Sequence, residues 1–187
     1  MIQGLLLVLL MLDGPFTEAT AASNAELTLI PPSMFGPPEL IHMDMKETDT
    51  PALLWLEGGK VAWLPWNLGA LYYRLSLPAH AGLFRDLVNR LLPKGRQLET
   101  DAHPLIEMTL MRQPGRTLLH LINLSGHSQT GYFAPLPTGP IQIRLEGNFK
   151  TVRLLRSGLP PSLQQVGGRS EIGLPRLQDY ELIVLEN

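Results

Sequence analysis

The chain has 187 residues, a formal net charge of −2 and no cysteine, with 44% hydrophobic and 17% charged residues. Such a composition suits a folded chain rather than a disordered one, and charges of both signs are interspersed, so the basic stripe of a nucleic-acid binder is missing. The absence of cysteine excludes disulfides, a thiolate nucleophile and thiolate-bound zinc, while 17 prolines and 17 glycines point to many turns and few long helices.

Residues 1–24 open with an apolar run, Leu5 to Leu12, followed by Ala19-Thr20-Ala21, a small-x-small pattern like a signal-peptide cleavage site. No Lys or Arg precedes the run, and Asp13 and Glu18 lie between it and that site. Eight apolar residues are too few to cross a bilayer core, which needs about 20; no membrane association is expected. The run reads as a secretion leader, a buried strand, or a start placed inside a longer reading frame, and a cytoplasmic location is favoured over a secreted one.

Residues 25–101 form the next expected domain. From Ala25 to Asp49 the pairs Pro31-Pro32 and Pro37-Pro38 fix φ and remove backbone donors, which predicts extended connecting chain. Ala52 to Leu56 and Val61 to Leu64 are short apolar runs around Glu57-Gly58-Gly59-Lys60, the pattern of a β-hairpin with a glycine turn. Between Pro78 and Leu92 the residues Leu83, Phe84, Leu87, Val88 and Leu91 recur at helical spacing, and Pro93 stops that helix. The stretch between Pro65 and Pro78, with Trp66, Tyr72 and Tyr73, reads as a loop.

Residues 102–187 lose the helical period. Leu105 to Arg112 and Thr117 to Leu124 flank Gln113-Pro114-Gly115-Arg116, where Pro then Gly suit a type II turn. Alternating runs follow at Ile141 to Leu145, Val152 to Leu155, Leu163 to Val166, Glu171 to Leu174 and Tyr180 to Leu185. About seven strands with regular turn signals predict an antiparallel β-sandwich. The fold class expected for the whole chain is α+β.

Trp55, Trp63, Trp66, Tyr72 and Tyr73 form the densest chemical feature. Trp55 and Trp63 alternate with aliphatic strand residues, which favours core or interface. Trp63, Trp66, Tyr72 and Tyr73 are the candidates for an interface or for stacking on sugar rings, because Trp and Tyr join a flat apolar body to a polar handle. The histidines, His42, His80, His103, His120 and His127, show neither His-x3-His nor His-Glu-x-x-His spacing, so no metal site is expected. Glu39, Glu57, Asp101 and Glu107 are the acids nearest apolar segments, yet each suits a turn, a hairpin flank or an outward strand position, and no catalytic pair is assigned. Ser125 before Gly126-His127 lacks the strand-to-helix elbow of a nucleophilic serine, and no glycine-rich phosphate loop occurs, so no cofactor is expected.

Three stretches together carry a family resemblance: Ile30-Pro31-Pro32 with Pro37-Pro38-Glu39; Thr48-Asp49-Thr50-Pro51-Ala52 running through Gly59-Lys60-Val61-Ala62-Trp63-Leu64-Pro65-Trp66-Asn67-Leu68-Gly69; and Arg112-Gln113-Pro114-Gly115-Arg116 with His120-Leu121-Ile122-Asn123-Leu124. Over Leu27 to Leu185 the chain resembles the C-terminal region of bacterial hypothetical glycosyl hydrolases related to family 42 β-galactosidases. The resemblance implies part of a glutamine-amidotransferase-like (flavodoxin-like) trimerisation domain followed by a small β-sandwich. It also implies that the catalytic carboxylates belong to a TIM barrel of ~250 residues, which has no counterpart here, so no catalytic residue carries over. The expectation is a non-catalytic accessory and oligomerisation region that packs on a catalytic domain or subunit or on copies of itself. The alternatives are a carbohydrate-binding module and a small free-standing glycosidase.

Overall fold

In the computed structural model, which describes residues 10–19, 25–31, 37, 39, 48–128 and 130–187, the Glu57-Gly58-Gly59 turn has φ of 66° at Gly58 and 89° at Gly59. Only glycine reaches such angles freely, so this turn fixes the hairpin. It joins β2 (Pro51–Leu56) to β3 (Val61–Trp63), and β1 (Ala25–Thr28) pairs with the other edge of β2. Pro51 to Trp55 are all buried in β2, the central strand, which explains its unbroken apolar run. Of the proline-rich segment, residues 32–36, 38 and 40–47 lie outside the described residues, as do Met1 to Leu9 of the N-terminal apolar run.

Two helices complete this part of the chain. The stretch expected to be a loop after Pro65 contains α1 (Leu68–Leu75). Asn67 caps it, its side-chain oxygen accepting from the Ala70 N–H at 3.1 Å, and Leu68 and Leu71 are buried one turn apart. It ends at Ser76, whose left-handed φ of 50° closes the last turn onto Tyr72. The expected second helix is present as α2 (Pro78–Leu91), with Pro78 in its first turn. Leu83, Leu87 and Leu91 face a core shared with Leu53, Trp55 and Leu71.

All strand pairs described in this region are antiparallel. A parallel βαβ crossover, the repeating element of a flavodoxin-like unit, does not occur among the described strands. The compact units divide between Gly95 and Arg96.

The second unit is a β-sandwich. One sheet has the order β10 (Thr151–Leu154), β13 (Tyr180–Glu186), β6 (Arg116–Asn123), β5 (Ile106–Gln113); the other has β11 (Ser162–Val166), β12 (Arg169–Leu174), β9 (Ile141–Glu146), β4 (Leu98–Thr100). The seven expected strands all occur, and β4 adds an edge that three residues were too short to announce. Alternation is the cause: in β9, Ile141, Ile143 and Leu145 are buried while Gln142, Arg144 and Glu146 face water. Leu119, Leu121, Ile172, Leu174, Ile183 and Leu185 meet them between the sheets. Gly115 takes φ of 76° where Gln113 pairs with Arg116, as the Pro-Gly turn requires. A small hairpin, β7 (His127–Ser128) and β8 (Gly131–Tyr132), projects from the connection between β6 and β9.

Candidate functional site

The four aromatic candidates take different environments. Trp66 is buried at 7% exposure, and its indole N–H donates to the Ala52 carbonyl at 2.8 Å. Trp63 is half-buried in β3 opposite Leu54. Tyr72 and Tyr73 lie on α1, where Tyr73 is 91% exposed and Tyr72 only partly so. Trp55, in the core, carries the Arg90 guanidinium over its ring at 3.9 Å. Accessible aromatic surface in this unit therefore comes from Tyr73 far more than from the tryptophans.

Three of the described histidines, His80, His103 and His120, have structural partners. His80 is buried at the start of α2, and its Nε2 lies 2.7 Å from the Met11 carbonyl, which can only accept, so that nitrogen carries the proton. His120 Nδ1 meets the Tyr180 hydroxyl at 2.7 Å, and His103 Nδ1 accepts from the Leu105 N–H at 3.2 Å. His127 is exposed in β7, and His42 lies outside the described residues. Among the described residues no group of three or more His, Asp or Glu converges closely enough to hold a metal ion, and no helix is long and apolar enough to cross a membrane.

The acids singled out by sequence are dispersed. Glu57 occupies the hairpin turn, Glu107 projects outward from β5, and Glu39 is an exposed isolated position. Asp101 accepts the Gln142 N–H at 2.7 Å. It also borders a shallow depression of about 400 Å³ with Glu99, Arg144 and Glu171 on the outer face of the β9 sheet. There Arg144 donates twice to one oxygen of Glu171, at 2.7 and 2.9 Å, and approaches Glu99 at 3.8 Å, while Arg169 meets Glu99 at 3.1 Å. Glu99 and Glu171 are thus both paired with Arg144, and Glu99 also with Arg169. A second open cavity, about 520 Å³, lies at one end of the sandwich with Arg112, Arg116 and Asn148 above Leu110, Leu145 and Phe149.

The most exposed aromatic surface of the sandwich is one the sequence reading passed over. Tyr132, Phe133 and Leu136 are 62, 67 and 74% exposed in the β6–β9 connection. Their support is built from backbone and buried polar groups. Asn123, fully buried, donates its amide to the carbonyls of Leu136 and Gln178, both at 2.7 Å, and its side-chain oxygen accepts the Ser125 N–H at 3.1 Å. The Ser125 hydroxyl accepts the Leu136 N–H at 2.9 Å, and the Phe133 N–H donates to the Gly126 carbonyl at 2.8 Å. Gly126 is required for close approach, because a Cβ there would sit 2.0 Å from the Phe133 carbonyl oxygen. The available signal was an apolar cluster, Tyr132-Phe133-Ala134-Pro135-Leu136, bounded by Gly131 and Pro137 with no strand periodicity to bury it.

No protein-family model matches the chain, and no curated protein matches it. Among solved structures, the chain is similar to α-L-fucosidase isoenzyme 2 from Paenibacillus thiaminolyticus, at 17% identity and a TM-score of 0.60 over 82% of this chain. The chain spans 25% of the length of that fucosidase. A looser likeness, with a TM-score of 0.37 and 15% identity, links 47% of the chain to 16% of a cycloisomaltooligosaccharide glucanotransferase from Paenibacillus sp.. The likeness to the fucosidase is one of fold, and it covers most of a chain whose second unit is a β-sandwich.

Proposed function

We propose that this chain is a non-catalytic accessory region of a carbohydrate-active enzyme, working beside a catalytic domain or subunit. One observation carries the reading: 82% of the chain superposes on only a quarter of a fucosidase, so the fold recurs there as one part of a much larger hydrolase chain. The placement of the described acids agrees, since Glu99, Asp101 and Glu171 each hold an Arg or a backbone N–H. The finer assignment is to the trimerisation-type region of glycosyl hydrolases related to family 42 β-galactosidases, and it rests on the sequence stretches named above. In that reading Tyr72 and Tyr73 on α1 pack against a partner subunit or a second copy, and the α/β part serves docking rather than chemistry.

Two measurements test the proposal on the purified chain. Against a panel of aryl glycosides that includes an α-L-fucoside, no turnover above buffer is expected. Light scattering should report an oligomer that Tyr73→Ala weakens. Hydrolysis that is lost in Glu99→Gln or Glu171→Gln overturns the non-catalytic reading, and a monodisperse monomer overturns the oligomerisation reading.

A further inference from the structure

The geometry points to the Tyr132–Leu136 loop as a stacking platform for neutral carbohydrate, an inference that rests on the carbohydrate-associated reading above and gives it a site. Three independent features of the loop support it.

The first is rigidity. A loop whose rings are exposed merely by chance has no reason to be fastened, yet this one is held by the Asn123 amide, the Ser125 hydroxyl and the Phe133 N–H, with Gly126 kept free of a side chain to let the strands close. A backbone already tied down loses little conformational entropy on meeting a ligand.

The second is charge. From Thr117 to Ile143 the sequence contains no Asp, Glu, Lys or Arg. Arg176, on the segment that brackets the foot of the loop, donates to Gln178 at 3.3 Å. The polar groups beside the rings are His127, which pairs with Tyr132 across the hairpin, and Ser128, which pairs with Gly131. A ring face flanked by an imidazole and a hydroxyl matches the C–H face and equatorial hydroxyls of an uncharged sugar, whereas an acidic or basic partner would find no counter-charge on this stretch.

The third is size. An aromatic side chain can bury roughly 150–250 Å², so three side chains at these exposures present a patch of about 400 Å². That is about half of the ~800 Å² per partner found in stable protein interfaces, and it suits a short run of sugar rings.

The experiment uses the full chain. Affinity electrophoresis through gels containing soluble neutral polysaccharides (xylan, galactomannan, β-glucan, arabinogalactan), followed by calorimetry with hexasaccharides of any that retard it, measures binding. Retardation by at least one glycan is expected, with affinity falling about three- to tenfold for Tyr132→Ala or Phe133→Ala, the range for removing one ring contact, and beyond detection in the double variant. Both rings are solvent-exposed, so the denaturation midpoint should stay at the parent value, which separates lost contact from lost fold. Undiminished binding in the double variant overturns this site while leaving the carbohydrate reading intact. Failure of every glycan to bind overturns the platform without bearing on the hydrolysis test. An oligomer that the double variant dissolves reassigns the rings to a protein interface and likewise overturns it.

Discussion

The Arg90 guanidinium sits 3.9 Å from the centroid of the Trp55 ring while its Nη1 meets Glu26 at 2.5 Å. One side chain of α2 therefore fastens both β1 and β2. A cation over an indole contributes about 0.5–1 kcal/mol at exposed sites, and the half-exposed ion pair adds at most about 1 kcal/mol. Arg90→Ala should lower the stability of this unit by about 1–2 kcal/mol in urea melts followed by tryptophan fluorescence. Arg90→Lys should recover part of that loss, because it keeps the charge but not the planar stack.

The same cluster sets a pH dependence. Burial raises the Glu26 pKa, but hydrogen bonds from Arg90 and Trp55, together with the Arg90 charge, outweigh it and hold the carboxyl below its ordinary value. A depressed folded pKa means stability that is present above the unfolded value of 4.5 and lost as pH falls through the folded one. Glu26→Gln should thus be destabilising at neutral pH, and the gap to the parent protein should narrow as unfolding is repeated below about pH 4.5. A gap that is constant from pH 7 to pH 3 would show that Glu26 contributes through packing alone.

The segment before β1 is tied into the first unit at several points. Leu10, Leu12 and Phe16 pack against its core, the Thr17 N–H donates to the Pro65 carbonyl at 2.8 Å, Asp13 pairs with Arg74, and the Met11 carbonyl accepts from His80. Removing residues 1–19 would uncover that apolar surface and leave the buried His80 Nε2 without its acceptor. The expected result is a loss of several kcal/mol, seen as early loss of the tryptophan signal on heating. Phe16→Ala alone should cost less, about 1–3 kcal/mol.

How much of this was legible in sequence depended on period. The sandwich strands declared themselves because burial on one face forces strict alternation, as in Ile141-Gln142-Ile143-Arg144-Leu145. The helix α2 showed through the spacing of Leu83, Leu87 and Leu91. The shorter α1 did not: two turns between Pro65 and Pro78 supply only Leu68, Leu71 and Leu75, and the adjacent Tyr72 and Tyr73 obscure the stripe. Trp66 drew attention as an accessible ring, but its indole N–H is satisfied inside by Ala52. The Tyr132–Phe133 surface lay in a region with no period, whose foot is held by Asn123, an amide that donates to a carbonyl as distant as that of Gln178.

That loop gives a direct prediction on stability. The Asn123 amide spans the carbonyls of Leu136 and Gln178. Asn123→Ala leaves both acceptors and the Ser125 N–H without this partner, at about 1–3 kcal/mol. Asn123→Leu fills the space but not the hydrogen bonds and should do no better. Both variants should speed proteolytic cleavage between residues 124 and 137, detected by mass spectrometry, whereas Tyr132→Ala should leave the cleavage rate unchanged.

Glu181 presents a different buried polar device. At 1% exposure its two oxygens accept the backbone N–H groups of Arg156, Ser157 and Leu182 at 2.7, 3.0 and 3.0 Å, stitching the turn after β10 to β13. A carboxylate offers acceptors on both oxygens, and the amide of glutamine replaces one of them with a donor that faces the Ser157 or Arg156 N–H. Glu181→Gln should therefore cost about 1–3 kcal/mol despite its near-identical shape, and Glu181→Ala at least as much. Removing the adjacent exposed ion pair with Asp179→Ala, which frees Arg156 from a 2.9 Å contact at the surface, should cost under about 1 kcal/mol. Equal losses for Glu181→Gln and Asp179→Ala in parallel denaturation curves would show that the turn is held by net charge near Arg156 and not by the three directed hydrogen bonds.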